Sequence, residues 1–316
     1  MSDTKNNNSN LHKAKSGKND EFYTQLSDIE NEVKHYKSQF KGKVVYCNCD
    51  DPEWSNFWKY FKLNFAYLGL KKLVSTHYTG THNPGEASYK LEYDGKRVKT
   101  TSLEGDGDFR SLECVALLEE SDIVVSNPPF SLFREYVAQL AESGKKFLIV
   151  GSMNALTYKE VFSLIKANKM WVGHDNGGTK WFRVPDRYEI ATESRIKVVD
   201  GVKYFSLGSV YWFTNMDLKK RHEDLILYRT YNETDYPKYD NYDAINVNKV
   251  SEIPADYKGA MGVPITFLDK YNPGQFEILG FMASTTVDDL NFGYPYVSGV
   301  KLYARIVIRR KNTAKK

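Results

Sequence analysis

Two consecutive prolines, Pro128 and Pro129, stand two residues after an apolar run at 123–125. Proline has no backbone N–H to give to a sheet ladder and fixes its own φ, so a strand ending there must leave its sheet in a rigid turn. The turn displays the Asn127 amide, the Pro128 carbonyl and the Phe130 ring at the carboxyl end of a strand. In open α/β sheets that end is where ligands bind. Asn127 Oδ1 and the Pro128 carbonyl offer two acceptors, and Phe130 offers a flat face. The set suits a planar base with an exocyclic amine. The plainer reading is a strand-ending turn capped by Asn127.

The rest of the chain supplies the sheet that such a turn needs. Residues 43–46 and 72–74 read as strands, and residues 123–126 and 147–150 as two more. Between them Phe57, Tyr60 and Phe61, then Phe133, Tyr136, Val137 and Leu140, recur at helical spacing. Ser27 with Glu30, and Thr157 with Glu160, read as capping boxes, and Ser111 as a helix cap. Asp94-Gly95 reads as a hairpin tip. Strands alternating with helices predict an α/β fold with a mainly parallel sheet. From Trp171 the pattern becomes aromatic and irregular, with a core strand at 209–213 and a long ordered loop at 237–248. The predicted division is a flexible basic arm at 1–20, an α/β core at 21–215 and an aromatic-rich region at 216–316 with a basic tail.

Charge adds to this by its placement. Lys and Arg number 44 against 40 Asp and Glu, yet the last sixteen residues hold Lys301, Arg305, Arg309, Arg310, Lys311, Lys315 and Lys316 with no acid. Lys13, Lys15 and Lys18 lie on the polar arm. Basic ends of this kind supply phosphate contacts or simply solubilise. The three cysteines, Cys47, Cys49 and Cys114, point to reduced thiols and a cytoplasmic location. Cys47 and Cys49 have no matching second pair, so no metal site is expected. No apolar run is long enough to span a membrane. The 23 tyrosines raise the supply of stacking rings, most of which are expected in the core.

Seven segments together resemble the EcoRI-type adenine-specific DNA methyltransferases. They are residues 20–25 (DEFYTQ), 44–52 (VVYCNCDDP), 105–110 (GDGDFR), 126–133 (SNPPFSLF), 239–246, 262–273 and 303–310. The resemblance implies a Rossmann-like S-adenosylmethionine-dependent methyltransferase sheet with an aromatic-rich DNA-recognition region. It implies methyl transfer from S-adenosyl-L-methionine to N6 of an adenine flipped out of double-stranded DNA. A cognate restriction endonuclease acting on the same site would be a natural partner, and no membrane is involved.

Residue by residue, the resemblance implies that Phe22, Tyr23 and Thr24 cradle the methionine end of the cofactor. Tyr46, Asn48 and Asp50 stand where a glycine-rich first turn is usual, and both glycines are missing. Asp50 or Asp51 reaches the cofactor ammonium, or else caps a helix. Asp108 and Phe109 take the cofactor adenine, or Asp108 belongs to the cap of the following helix. No acid follows the second strand in residues 74–78, so the ribose contact is unassigned. Asn127, Pro128, Pro129 and Phe130 hold the target base. Trp181 and Phe182, ahead of Tyr211 and Trp212, are the candidates for its second face. Arg309, Arg310 and Lys311 join the basic arm on DNA, and base readout is expected at 219–248 and in the last third. The rival readings are a cytosine N4 or protein glutamine methyltransferase, and a catalytically silent sequence-specific DNA-binding protein. Asn127 rather than Ser before Pro-Pro favours adenine.

Overall fold

The computed structural model describes residues 24–79, 87–184, 195–206, 208–284 and 289–311. The chain divides into two compact units. One holds the chain through Ala155 together with Gly173–Met216, and the other holds Leu156–Val172 and Asp217–Lys316. The helix Lys159–Lys166, which the alternating pattern groups with the core, falls in the second unit.

Buried aliphatic strands form the centre of the first unit. Seven of its strands pair in the order Val98–Ser102 (β4), Tyr89–Tyr93 (β3), Lys72–His77 (β2), Val44–Cys47 (β1), Ile123–Ser126 (β5), Lys146–Ser152 (β6) and Val210–Thr214. β2, β1, β5 and β6 run parallel. β3, β4 and the Val210–Thr214 strand are antiparallel to their neighbours. The sheet is therefore mixed around a parallel centre. β1 and β5 are buried at every position, as strands covered on both faces must be. Helix Asn56–Leu63 follows β1 and turns Phe57 and Phe61 inward, while helix Phe133–Ser143 follows β5 and buries Phe133, Tyr136, Val137 and Leu140. This is an α/β sheet of the kind the resemblance implies, with β1 and β5 as adjacent central strands and β2 on the far side of β1.

Local signals fared unevenly. Asp94 Oδ1 accepts from Lys96 N and Arg97 N at 2.9 Å each, which makes the expected hairpin tip. Ser111 Oγ accepts from Cys114 N at 3.3 Å and caps helix Leu112–Glu120. The two capping boxes do not form. Helix Leu26–Val33 starts before Ser27, with Gln25 as its N-cap and no side-chain cap bond. Helix Lys159–Lys166 starts after Tyr158, also without one.

In the second unit a four-stranded sheet runs in the order Ala244–Asn246, Ala260–Pro264, Arg305–Arg310 and Phe276–Met282. Its core includes Tyr239, Ala244, Met282 and Val307. The expected loop at 237–248 thus contributes a strand. Tyr239 Oη donates to Asn246 Oδ1 at 2.8 Å and fixes that strand to the segment before it. Among the described residues no helix is long and apolar enough to cross a membrane.

One glycine sets where the 105–110 loop lies. Gly107 has φ +80°, and a Cβ there would sit 2.3 Å from the His77 carbonyl oxygen. Thr79 N donates to Asp106 O at 3.0 Å beside it. The loop is therefore seated on the carboxyl end of β2. Gly107→Ala is expected to cost about 1–2 kcal/mol for the left-handed backbone alone, and more for the clash. Gly105→Ala, whose Cβ would meet nothing nearer than Glu113 Oε2 at 3.5 Å, is expected to cost under about 1 kcal/mol. Denaturant unfolding of the two variants side by side checks the difference.

Candidate active site

Because β1 and β5 are parallel neighbours, the turns that leave them lie side by side. Val45 faces Ile123 and Tyr46 faces Val124 in register. The chain then turns from β1 through residues 48–52 and from β5 through Asn127-Pro128-Pro129-Phe130. One carboxylate joins the two turns. Asp50 Oδ2 accepts from Ser126 Oγ at 2.6 Å and from Asn127 N at 3.2 Å, and Oδ1 accepts from Ser55 Oγ at 3.0 Å. Ser126 Oγ in turn accepts from Cys49 N at 3.0 Å. Ser75 Oγ, on β2, donates to the Asp50 carbonyl at 2.8 Å. Asp50 is buried, and burial pushes its carboxyl up to about 6 against the hydrogen bonds that favour its charge.

The missing glycines are explained by these bonds. Asn48 is buried, and its Oδ1 accepts from the Tyr136 hydroxyl in a short hydrogen bond. The Tyr136 ring meets Phe109 edge-on at 5.1 Å. Asn48 and Asp50 thus use side chains to lock the first turn to β5 and to helix Phe133–Ser143, where a glycine turn would leave bare backbone. Neither Asp50 nor Asp51 caps helix Asn56–Leu63: that cap is Ser55, whose Oγ accepts from Phe57 N at 3.0 Å. Tyr46 is wholly in the core, with its hydroxyl 3.3 Å from Thr76 Oγ1. Cys47 and Cys49 thiols are pushed well up by burial.

Asp108 and Phe109 sit beside this turn. Arg110 donates to Asp108 through Nε at 2.8 Å and Nη2 at 2.7 Å, and that bonding holds the Asp108 carboxyl below its ordinary range. Phe109 is buried, and its carbonyl accepts from Gln139 Nε2 at 3.1 Å. Asp108 is not the cap of the next helix, since Ser111 fills that role.

Thr24 carries an observation of its own. It is buried, its carbonyl accepts from Asn56 Nδ2 at 2.7 Å, and its Oγ1 has no hydrogen-bond partner among the described residues. A buried hydroxyl without a partner is costly unless something else fills its need. Phe22 and Tyr23 lie outside the described residues, as do Lys13, Lys15 and Lys18.

Asn127 is half-buried and Phe130 is buried at the start of a short 3-10 turn, Phe130–Leu132. Pro128 is buried and Pro129 half-buried beside them. Of the rings proposed for the opposite face, Trp181 is half-buried with Lys197 Nζ 4.5 Å from its ring centre. Phe182, Tyr211 and Trp212 are core residues. The segment leading to Trp181 is held by Glu32, a residue that sequence reading did not single out. Glu32 accepts from His174 N at 2.8 Å and Asp175 N at 2.6 Å, and from Tyr36 Oη at 2.6 Å. Burial raises its carboxyl above the ordinary value. Its only signal in the sequence was an acid on the inward face of an otherwise apolar stripe.

In the second unit, Arg309 is exposed. The Arg310 guanidinium donates to the Ala255 carbonyl in a short contact, and Lys311 Nζ donates to the Pro273 carbonyl at 2.7 Å.

Known proteins match the chain over nearly its whole length. The family model described as adenine-specific methyltransferase EcoRI matches residues 10–311. The Type II methyltransferase M.EcoRI of Escherichia coli is 51% identical over 96% of this chain and 97% of its own. The Type II methyltransferase M.MpnI of Mycoplasma pneumoniae is 42% identical over 95% of this chain and 98% of its own. M.MgeORF184P of Mycoplasma genitalium, also a Type II methyltransferase, is 39% identical over 95% and 98%. No solved structure matches the chain significantly.

The raised Asp50 carboxyl has a direct consequence. Its folded-state value of about 6 lies above the ordinary 3.8. The folded state therefore binds the extra proton between those values, and this group's contribution to stability falls as pH rises through that window and is level above it. The size is on the order of 3 kcal/mol. Denaturant unfolding of the wild type and of Asp50→Asn from pH 4 to 7 measures it. The wild-type stability minus that of the variant is expected to fall by roughly this amount across the range.

Proposed function

The chain belongs to the EcoRI family of adenine-specific methyltransferases, and from that premise we propose how its residues serve the reaction. The substrate of this reading is double-stranded DNA, the donor is S-adenosyl-L-methionine, and the product is N6-methyladenine at a specific site. The observation that carries it is the joining of the 48–52 turn to Asn127-Pro128-Pro129-Phe130 through Asp50. A chain with this site and this family membership acts on adenine, and the silent-binder reading has nothing to recommend it.

The residues present fit the donor. Thr24 Oγ1 is a buried hydroxyl with no hydrogen-bond partner among the described residues, and the ionised Asp108 is an acceptor beside the buried Phe109 ring. Thr24, with Phe22 and Tyr23 before it, would hold the methionine end, and Asp108 with Phe109 the adenine end. Tyr46, Asn48 and Asp50 shape the pocket from behind, since their side chains serve the core and the turn. When bound, the cofactor supplies an electrophilic methyl group.

The adenine amine is a weak nucleophile because its lone pair is shared with the ring. Asn127 Oδ1 and the Pro128 carbonyl accept its two hydrogens, favour a tetrahedral nitrogen and aim the lone pair. Positioning and electrostatics supply most of the rate. The base must leave the duplex to reach them. Phe130 then lies against one face and Trp181 against the other. Phe182 stays in the core and supports Trp181. Of the basic C-terminal residues, Arg309 and Lys311 are exposed and Arg310 half-buried, and all three are assigned to phosphate, with Lys13, Lys15 and Lys18 assigned to the arm. A cognate endonuclease for the same site is part of this reading, as Type II relatives suggest.

Asn127→Ala is expected to lower methylation by about 10²–10³ while leaving S-adenosylmethionine affinity within a few fold. Single-turnover methylation with labelled cofactor, read beside calorimetry, checks both; near-normal turnover would remove Asn127 from the chemistry. With 2-aminopurine in place of the target adenine, binding is expected to raise fluorescence as the base unstacks. Phe130→Ala should weaken that extrahelical state by about 1–3 kcal/mol. Tight specific binding without a fluorescence change would mean the base stays in the stack.

A further inference from the structure

The carboxyl end of β2 is where a methyltransferase sheet normally offers an acid to the cofactor ribose, and here the strand ends in His77 followed by Tyr78 and Thr79. The position is nonetheless served by a carboxylate from the neighbouring turn. Asp51 Oδ2 lies 2.9 Å from His77 Nδ1. Its Oδ1 accepts from Glu53 N at 2.8 Å. β1 and β2 are parallel with Cys47 opposite Ser75, and the Ser75 hydroxyl holds the Asp50 carbonyl at 2.8 Å. Asp51 is thereby carried across to β2 by the backbone itself.

Its surroundings suit a bound diol. Asp50 is buried and committed to Ser55, Ser126 and Asn127. Asp108 is gripped by Arg110. Asp51 keeps about a quarter of its side chain exposed, 24% against 9% for His77. The imidazole that orients it is itself fixed: Tyr89 stacks on it at 4.7 Å with 17° between the planes, and the Tyr89 hydroxyl donates to Glu53 Oε1 at 2.8 Å. Gly107 brings the adenine-side loop against the His77 carbonyl, so the base and sugar positions adjoin.

We propose that Asp51, oriented by His77, is the acceptor for the ribose hydroxyls of the cofactor, supplied from the β1 turn in place of an acid after β2. This rests on the reading that S-adenosylmethionine occupies the crevice beside β1 and β5. A carboxylate accepts two hydroxyl hydrogens at once, which an imidazole cannot do. His77 is a positioning residue that selects the Asp51 rotamer.

The test is calorimetric binding of S-adenosylhomocysteine and of its 2′,3′-dideoxyribose analogue to the full chain. The wild type is expected to bind the analogue roughly ten- to a hundredfold more weakly. Asp51→Ala should bind both compounds alike, at about the wild-type affinity for the analogue. Asp51→Asn, which keeps an acceptor for the Glu53 amide and so preserves the turn, should lose most of the discrimination. Glu53→Gln should retain it. His77→Ala should reduce it, and adding His77→Ala to Asp51→Ala should change nothing further, a non-additivity that a merely structural histidine would not give. Wild-type discrimination in both Asp51 variants overturns the proposal, as does its loss in Glu53→Gln. If the wild type binds neither compound, the cofactor reading itself fails and the proposal falls with it. If it binds both equally, only the ribose assignment falls.

Discussion

The site depends on one buried carboxylate. Asp50 receives hydrogen bonds from a serine on the strand it faces, from the backbone amide of Asn127 and from the serine that caps the next helix. Pro128 and Pro129 have no N–H, so the Asn127 amide is the last backbone donor before the turn can be anchored again. Fixing that amide fixes where the Asn127 side chain begins. An asparagine at position 50 would accept from one side only and would turn its own two hydrogens toward donors. A carboxylate accepts on both oxygens, and charge-assisted bonds of this kind are about twice as strong as neutral ones. Its desolvation is the cost, visible in the raised carboxyl. The molecule holds a partly unfavourable charge in order to keep two turns in register.

This exchange accounts for the departure from a glycine-rich first turn. A glycine turn brings bare backbone close to a ligand and relies on the rest of the fold to hold it still. Here Asn48 and Asp50 hold the turn from within, through Tyr136 and Ser126. The conformational freedom that glycine gives has moved to Gly107, where no side chain fits against the His77 carbonyl. Close backbone approach is thus placed on the 105–110 loop, and rigidity on the first turn.

Much of this was legible in the sequence, and the exceptions have physical causes. The central strands and the Pro-Pro turn were readable because proline acts on its own backbone and buried parallel strands are continuously apolar. Ser27 and Thr157 misled because a capping box competes with whatever fixes the chain just before a helix. Gln25 and Tyr158 take extended backbone at those starts, so Ser27 sits two residues past the true cap and Thr157 one residue before it. The role of Asp50 was ambiguous for a different reason. Its partners across the site, Ser126 and Asn127, are 76 and 77 residues away, and no local pattern announces a long-range acceptor. Glu32 was missed likewise: periodicity puts it on the inward face of its helix, but its bonds to the backbone amides of residues 174 and 175 are long-range and have no local signature. The strand Ala244–Asn246 was hidden because a three-residue strand is held by pairing and by Tyr239, not by propensity.

The basic C-terminus makes the same point about charge. In sequence, Arg309, Arg310 and Lys311 form one cluster, and a phosphate-binding run is the natural reading. Along a strand, however, neighbours point to opposite faces, and beyond the strand each cation finds what is near. Arg310 and Lys311 bond the loop carbonyls of Ala255 and Pro273. Arg309 lies opposite Glu277 in the ladder and remains exposed. A cation already bonded to a carbonyl can still meet a phosphate through its remaining donors, since guanidinium has five N–H groups and ammonium three. It then binds as a fixed point rather than a searching side chain. The electrostatic footprint of a basic run is therefore set by its total charge, while its specific contacts are set by which donors the fold has left over.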